Sequence, residues 1–434
     1  MNIKVTGYIE PDKLKKISGT FTVPGDKSIS HRSIMLGAMA KGTTHISGFL
    51  TGEDCLSTIK CFRAMGVDIK LEGTNVTVHS TGKFIAPIDI LDVGNSGTTL
   101  RLMTGLIAGQ QFSCTVTGDD SIKTRPMKRV ADPLALMGAK INGVYAPITI
   151  EGQPLNGINY TLPVASAQVK SAILLAGLYA EGKTVVEEST PTRDHTEIML
   201  EYLGADIVKS GHYITIKKST LTAKPISVPG DISSAAFLIA AAAILPGSSI
   251  TIEGVGINPT RIGIVNVLKR MGADITLSNK RITCGEAVAD ISVRYTPLKG
   301  VNISGDEIPT LIDEIPIIAA VAMFAQGETV ISDAKELRVK ETDRIKVTAE
   351  EFNKFLLNPQ IPVIMPKEDG MTINGSADLI KNLQGAKVNS CGDHRLAMSL
   401  SILALAAKGS STITGAECAD VSFPGFYKLL SIKK

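Results

Sequence analysis

A two-domain α/β fold, each domain built from three copies of one unit, is the architecture this sequence predicts. Three observations carry the prediction. The chain has 434 residues, too many for one ordinary core. A pattern of polar loop, apolar helix, glycine and short alternating strand recurs six times along it. The turn Val-Pro-Gly-Asp also occurs twice, as VPGDKSISHR (23–32) and VPGDISSAAF (228–237), with Lys27 and Arg32 present only in the first copy.

The six segments are HRSIMLGAMAKGTTHISG, TLRLMTGLIAGQQFSCTVTG, VKSAILLAGLYAEGKTVVEE, AAFLIAAAAILPGSSITIEG, IPIIAAVAMFAQGETVISDA and LAMSLSILALAAKGSSTITG. Each apolar run is followed by a glycine: Gly42, Gly109, Gly182, Gly247, Gly327 and Gly409. A left-handed helix end is expected at each, with the strand starting at once. A second, amphipathic helix follows in most copies, ending in CFRAMGVDI, PLALMGAKI, MLEYLGADI or VLKRMGADI, where Met-Gly or Leu-Gly stops it before another strand. One copy therefore reads strand, helix, strand, helix, strands.

The last copy is cut short, and residues 1–21 form a strand-like prefix ahead of the first. The expectation is one domain at 22–229 holding copies one to three. The other, at 230–434, holds copies four to six and is completed by residues 1–21. The two Val-Pro-Gly-Asp turns then mark the crossings between domains.

Composition excludes several classes of function. Trp is absent, Phe and Tyr are sparse, and the net charge is only +3, which argues against a nucleic-acid partner. The first residues are charged, with no apolar signal region, and the most apolar stretch, AAFLIAAAAIL (235–245), is too short to span a bilayer. A cytoplasmic protein with no membrane partner is expected. The six cysteines are scattered without metal-ligand spacing and read as reduced, mostly buried thiols.

The first helix of each copy is apolar on nearly every face, so its polar chemistry is confined to the loop before it: GDKSISHR (25–32), GNSGTTLR (94–101), ASAQVKS (165–171), GDISSAA (230–236), LIDEIP (311–316) and CGDHRLA (391–397). Helix starts attract anions at about 0.3–1 kcal/mol each. Hydrogen bonds to charged groups are worth about 1.5–3 kcal/mol, so the cations in and near these loops should dominate affinity. Those cations are Lys27, Arg32, Arg101, Lys170 and Arg395, with more in KTRPMKR (123–129), TRDHTE (192–197) and RVKETDR (338–344). Together they suit more than one anion.

These motifs, in this order over essentially the whole chain, resemble the 3-phosphoshikimate 1-carboxyvinyltransferase (EPSP synthase) family of enolpyruvyl transferases. The resemblance implies an inside-out α/β barrel of two domains, each of three βαβαββ repeats, with the active site in the interdomain cleft. It implies transfer of the enolpyruvyl group of phosphoenolpyruvate to the 5-hydroxyl of shikimate 3-phosphate, without metal or organic cofactor, by a monomer acting on small molecules. Lys27, Ser28, Arg32, Ser166, Ala167, Gln168, Arg193, Asp313 and Lys340 match its shikimate 3-phosphate contacts. Lys27, Asn95, Gly97, Arg125, Gln168, Arg344 and Arg395 match its phosphoenolpyruvate contacts. Asp313 is expected to accept the hydroxyl proton, and Glu341 to donate one, with Lys27 as the rival donor.

Two positions depart from the family pattern. Ala167 stands where a second serine is common, leaving only its amide for phosphate. The family's lysine near the carboxyl end is missing: CADVSFPGF (418–426) offers Val421 or Ser422, and Arg101 is a candidate replacement. Ser28 alone would also read as a plain helix N-cap. The alternatives are a UDP-N-acetylglucosamine enolpyruvyl transferase, disfavoured because Asp120 occupies the place of its catalytic cysteine, and a noncatalytic six-repeat scaffold, which leaves Asp313 and Glu341 without a task.

Overall fold

The computed structural model describes residues 1–7 and 15–431. Residues 8–14 and 432–434, which belong to the expected second domain, lie outside the described residues. The chain divides into two compact units. The first comprises Gly25–Pro229 with Ile282–Glu286; the second comprises Met1–Pro24, Gly230–Arg281 and Ala287–Lys434.

Three four-stranded sheets belong to the first unit, together with three largely buried helices, Lys27–Met39, Gly97–Ala108 and Ala167–Gly177. Leu91–Asp92, Ser113–Thr117, Ile148–Glu151 and Lys140–Asn142 form one; Asn159–Thr161, Lys183–Glu187, Tyr213–Lys217 and Ile207–Ser210 form another. In both, the strand before the buried helix runs parallel to the strand after it, with Leu91 opposite Val116 and Asn159 opposite Val185. An antiparallel hairpin completes the sheet.

The first copy breaks this pattern. Ser18–Phe21 precedes its helix, Lys27–Met39, yet pairs with Ser249–Ile252 in the second unit. The vacant edge of Lys41–Ser47 is taken instead by Ile226–Ser227, the strand that precedes the helix of copy four. Copies one and four have thus exchanged their leading strands, and each Val-Pro-Gly-Asp turn follows an exchanged strand. The Asp26 amide donates to the Pro229 carbonyl at 2.8 Å and the Asp231 amide to the Pro24 carbonyl at 2.9 Å. A Cβ on Gly25 would lie 1.8 Å from the Gly48 oxygen, so the chain passes there only as glycine.

The second unit repeats the plan with sheets centred on Ser249–Gly256, Ala325–Ile331 and Ser410–Thr414. Asn2–Thr6 lies antiparallel to Ser410–Thr414, with the buried Ile3 opposite the buried Ile413. Its helix Ile232–Ile244 is buried at all thirteen residues. That explains the absence of an apolar stripe in its sequence.

Only one of the six glycines is the cap of its helix: the helices before Gly42, Gly182, Gly247, Gly327 and Gly409 are capped by Ala40, Leu178, Leu245, Met323 and Ala407. Those glycines have positive φ, and Gly42 and Gly327 lie within strands. Gly109 does cap its helix, at φ −90°. It is glycine for another reason: a Cβ there would stand 2.7 Å from Tyr179. Of the cysteines, all six are free thiols, but only Cys55, Cys61 and Cys114 are buried; Cys284 and Cys418 are half-buried and Cys391 is exposed.

Candidate active site

Polar side chains close the starts of the buried helices. Asp26 accepts from the Ile29 amide at 2.9 Å, Ser96 from Thr99 at 3.1 Å, Ser166 from Val169 at 3.4 Å and Asp393 from Arg395 at 2.8 Å. Each such cap is worth about 1 kcal/mol. Ser28 is not a cap; Asp26 takes that role, and Lys27 and Ser28 stand in the first turn with half-buried side chains.

In the first unit, three loops converge on Gly97. A Cβ there would lie 2.8 Å from Arg101 Nη1 and 3.1 Å from Arg125 Nη1, so the missing side chain leaves two guanidinium groups beside a helix start. Arg125 Nη2 donates to Asn95 Oδ1 at 2.9 Å and to Ser121 Oγ at 3.0 Å. Asn95 Nδ2 in turn donates to Asp119 at 2.6 Å. Arg101 Nη1 donates to Gln168 Oε1 at 2.7 Å, and Gln168 Nε2 to Thr98 Oγ1 at 3.1 Å. Asn95, Gly97, Arg101, Arg125 and Gln168 are therefore one connected group, with Ser166 and Ala167 at the adjoining helix start.

Around the Lys27–Met39 helix the cations are more enclosed. Lys27 pairs with Asp54. Arg32 is buried and donates to Thr196 Oγ1 at 2.6 Å, Ser171 Oγ at 2.8 Å and the Ser28 carbonyl at 3.0 Å. Burial lowers its pKa to about 10, opposed by Glu197, Asp26 and Glu286, while the neighbouring charge of Arg193 lowers it further. Lys170 is fully buried between Glu188, at 2.9 Å, and Glu197, at 2.7 Å. Its charge is spent inside the unit. His31, one helix position before Arg32, is pushed down to about 3, first by burial and then by Lys27 and Arg32 against the pull of Asp54.

The second unit gathers its site residues around one cation. Arg344 is buried and meets three carboxylates: Asp393 at 2.7 Å, Glu341 at 2.7 Å and Asp313 at 3.3 Å. Lys340 also approaches Asp313, at 3.5 Å. Burial pulls Arg344 down, but Asp393, Glu341 and Asp313 together hold it above its ordinary value. Burial pushes Glu341 up, yet Arg344, His394 and Lys340 outweigh it and keep that carboxyl well below the usual carboxylate range. Arg395 reaches the Ser233 carbonyl at 3.4 Å and Glu314 at 3.7 Å. At the carboxyl-terminal departure, Val421 ends a short 3-10 segment and Ser422 is buried, so neither position carries a cation.

Several partners were missed by the sequence reading. Asp393 stands inside the CGDHRLA loop, where it both caps a helix and binds Arg344. Thr196 lies in TRDHTE and holds Arg32. Asp54 sits in the first turn of the next helix and offers no signal beyond its charge.

This architecture is that of the enolpyruvyl transferases. NikO, an enolpyruvyl transferase from Streptomyces tendae, superposes with a TM-score of 0.80 over 99% of this chain and 97% of its own, at 17% identity, a likeness of fold alone. The chain belongs to the EPSP synthase (3-phosphoshikimate 1-carboxyvinyltransferase) family, whose model matches residues 11–430. The 3-phosphoshikimate 1-carboxyvinyltransferase of Thermoanaerobacter sp. strain X514 is 51% identical, over 97% of this chain and 98% of that protein. EPSP synthase from Acinetobacter baumannii matches with a TM-score of 0.88 and 46% identity, over 99% of this chain and 97% of that one.

Proposed function

We propose that this enzyme adds the 5-hydroxyl of shikimate 3-phosphate to C2 of phosphoenolpyruvate and then eliminates phosphate, giving 5-enolpyruvylshikimate 3-phosphate. The observation that carries the reading is Asp313: a carboxylate less than one-fifth exposed, within 3.5 Å of both Lys340 and Arg344. There it can take a proton from a hydroxyl while the neighbouring cations hold anionic substrate. Family membership supplies the substrates.

Lys27, Ser28, Arg32, Ser166, Ala167, Gln168, Arg193, Asp313 and Lys340 are assigned to shikimate 3-phosphate. Lys27, Asn95, Gly97, Arg125, Gln168, Arg344 and Arg395 are assigned to phosphoenolpyruvate. The paired guanidinium groups beside Gly97 support the second assignment, since a planar fork matches a carboxylate or phosphate edge. Arg32, whose three nitrogens all engage protein oxygens, acts here as much by holding the helix start as by touching substrate.

In the addition step the methylene carbon gains a proton as C2 gains the oxygen. In the elimination step that methyl group loses a proton as the C2–O bond to phosphate breaks. Arg344 keeps Glu341 ionised in the free protein, so its donor role requires bound dianions to raise it. This favours Lys27 as the second candidate donor. Glu341→Gln and Lys27→Met separate them: the variant of the true donor loses the addition step while the other keeps it.

The enzyme is read as a cytoplasmic monomer, which gel filtration with light scattering checks for mass. Among the described residues no helix is long and apolar enough to cross a membrane. The deciding experiment mixes the protein with phosphoenolpyruvate and either shikimate 3-phosphate or UDP-N-acetylglucosamine and measures free phosphate. Release only with shikimate 3-phosphate supports the proposal; release only with the nucleotide sugar, or none, overturns it.

A further inference from the structure

The fourth copy carries an anomaly. Its hairpin strands, Asp274–Thr283 and Glu286–Arg294, run ten and nine residues. The corresponding hairpins of the first unit use strands of three to seven residues. Cys284 and Gly285 turn the hairpin with φ of 51° and 85°, both left-handed as a two-residue turn with the right twist requires. Most of Asn279–Thr283 is exposed, so the extension contributes little to the core. Its tip, Ile282–Glu286, nevertheless belongs to the first unit, which the chain enters there a second time.

The tip is specifically held. Cys284 Sγ accepts from the Ser227 amide at 3.3 Å and lies 3.5 Å from the Pro225 carbonyl. A Cβ on Gly285 would stand 2.7 Å from Ile198. Glu286 is buried and its Oε1 lies 2.6 Å from Nδ1 of His195, itself buried. His195 is the first residue of the helix His195–Tyr202. The next two residues grip the interior of the site: Thr196 accepts from Arg32, and Glu197 pairs with Lys170.

We propose that Glu286 is a positioning residue for the shikimate 3-phosphate contacts: through His195 it sets the start of the His195–Tyr202 helix and thereby Arg32 and the adjacent Arg193. The Gly97 group, assigned to phosphoenolpyruvate, has no member on this helix. The effect of losing Glu286 is therefore specific to one substrate. This inference rests on the assignment of Arg32 and Arg193 made above.

The test compares Glu286→Ala, which removes the partner of His195, with Glu286→Gln, whose amide oxygen can still accept from it. In Glu286→Ala the KM for shikimate 3-phosphate rises about 2- to 30-fold, the range for removing one link in such a network. The KM for phosphoenolpyruvate and kcat change less than about 2-fold, below the weakest effect of that kind. Glu286→Gln restores most of the loss. Amide hydrogen exchange over residues 193–200 rises in Glu286→Ala and not in Glu286→Gln. An unchanged KM for shikimate 3-phosphate, or equal increases for both substrates with a lowered Tm, overturns the proposal. A wild-type protein that turns over neither substrate refutes the proposed function instead, and the exchange measurement still decides whether Glu286 orders the helix.

Discussion

The two units keep their cations in different company. In the first unit, Arg125 is held by the neutral oxygens of Asn95 and Ser121. In the second, Arg344 sits among Asp313, Glu341 and Asp393. Neutral partners orient a guanidinium group without cancelling its charge, so an arriving anion meets most of it. Three carboxylates instead more than cancel the charge of Arg344 and create acceptors for protons. The first arrangement suits holding an anion by charge; the second sets proton acceptors beside Arg344, a cation assigned to phosphoenolpyruvate. Lys27 and Lys170 show that the first unit also pairs cations with carboxylates, in each case at an enclosed position on a buried helix.

The comparison can be broken most forcefully at Asp393. Asp393→Ala removes a charged hydrogen-bond partner of the buried Arg344, which keeps Glu341 and Asp313, and also removes a helix cap; a loss of about 2.5–4 kcal/mol in unfolding free energy is expected. Urea denaturation measures it; a loss under 1 kcal/mol would mean that Arg344 does not depend on its carboxylates.

A smaller effect is expected at Arg125. Arg125→Ala removes a charged donor without stranding any carboxylate, so stability holds within the ordinary range for half-buried positions. Affinity for phosphoenolpyruvate falls by about 1.5–3 kcal/mol, roughly 10- to 150-fold. The KM for phosphoenolpyruvate at saturating shikimate 3-phosphate reads this, and an equal loss of stability and affinity would erase the contrast between the units.

Acid gives the smallest effect. His31 titrates near 6.5 when unfolded and near 3 when folded. Between those values the unfolded chain binds a proton that the native state refuses, so stability falls as pH drops. The expected loss is about 1.4 kcal/mol at pH 5.5 relative to neutrality. Glu341 is displaced in the same direction from its ordinary value of 4.5, so its contribution to stability is likewise lost in acid, but only as pH falls below that value. His31→Gln should flatten the slope of stability between pH 7 and 5.5, and an unchanged slope would show that the imidazole is not the group responsible.

The fold class was legible because six glycine-punctuated apolar runs recur in the same order with their strands. What could not be read was the exchange of leading strands between copies one and four. Ser18–Phe21 is four residues of largely exposed backbone, and nothing in SGTF distinguishes pairing with Lys41–Ser47 from pairing with Ser249–Ile252. Glycine handedness misled at Gly109, where close packing on Tyr179 mimics the signature of a left-handed turn.

Candidate site residues could be picked out from their motifs, but their environments could not. RVKETDR announces a cation beside a helix start, but not that Arg344 is buried and met by carboxylates 31 and 49 residues away in sequence. Such long-range pairing leaves no local periodicity. The Glu286 contact is hidden for the same reason, since His195 lies 91 residues before it.

The division of labour between binding cations and reactive carboxylates is tested most directly by Asp313→Asn, which preserves size and much of the hydrogen bonding. Single-turnover phosphate release with both substrates saturating should slow by about 10²- to 10⁴-fold, while shikimate 3-phosphate affinity, to which Asp313 also contributes, falls by no more than about 10-fold. Release at the wild-type rate would contradict the assignment of Asp313 as the proton acceptor, and with it the reading of the Arg344 cluster as the reacting half of the enzyme.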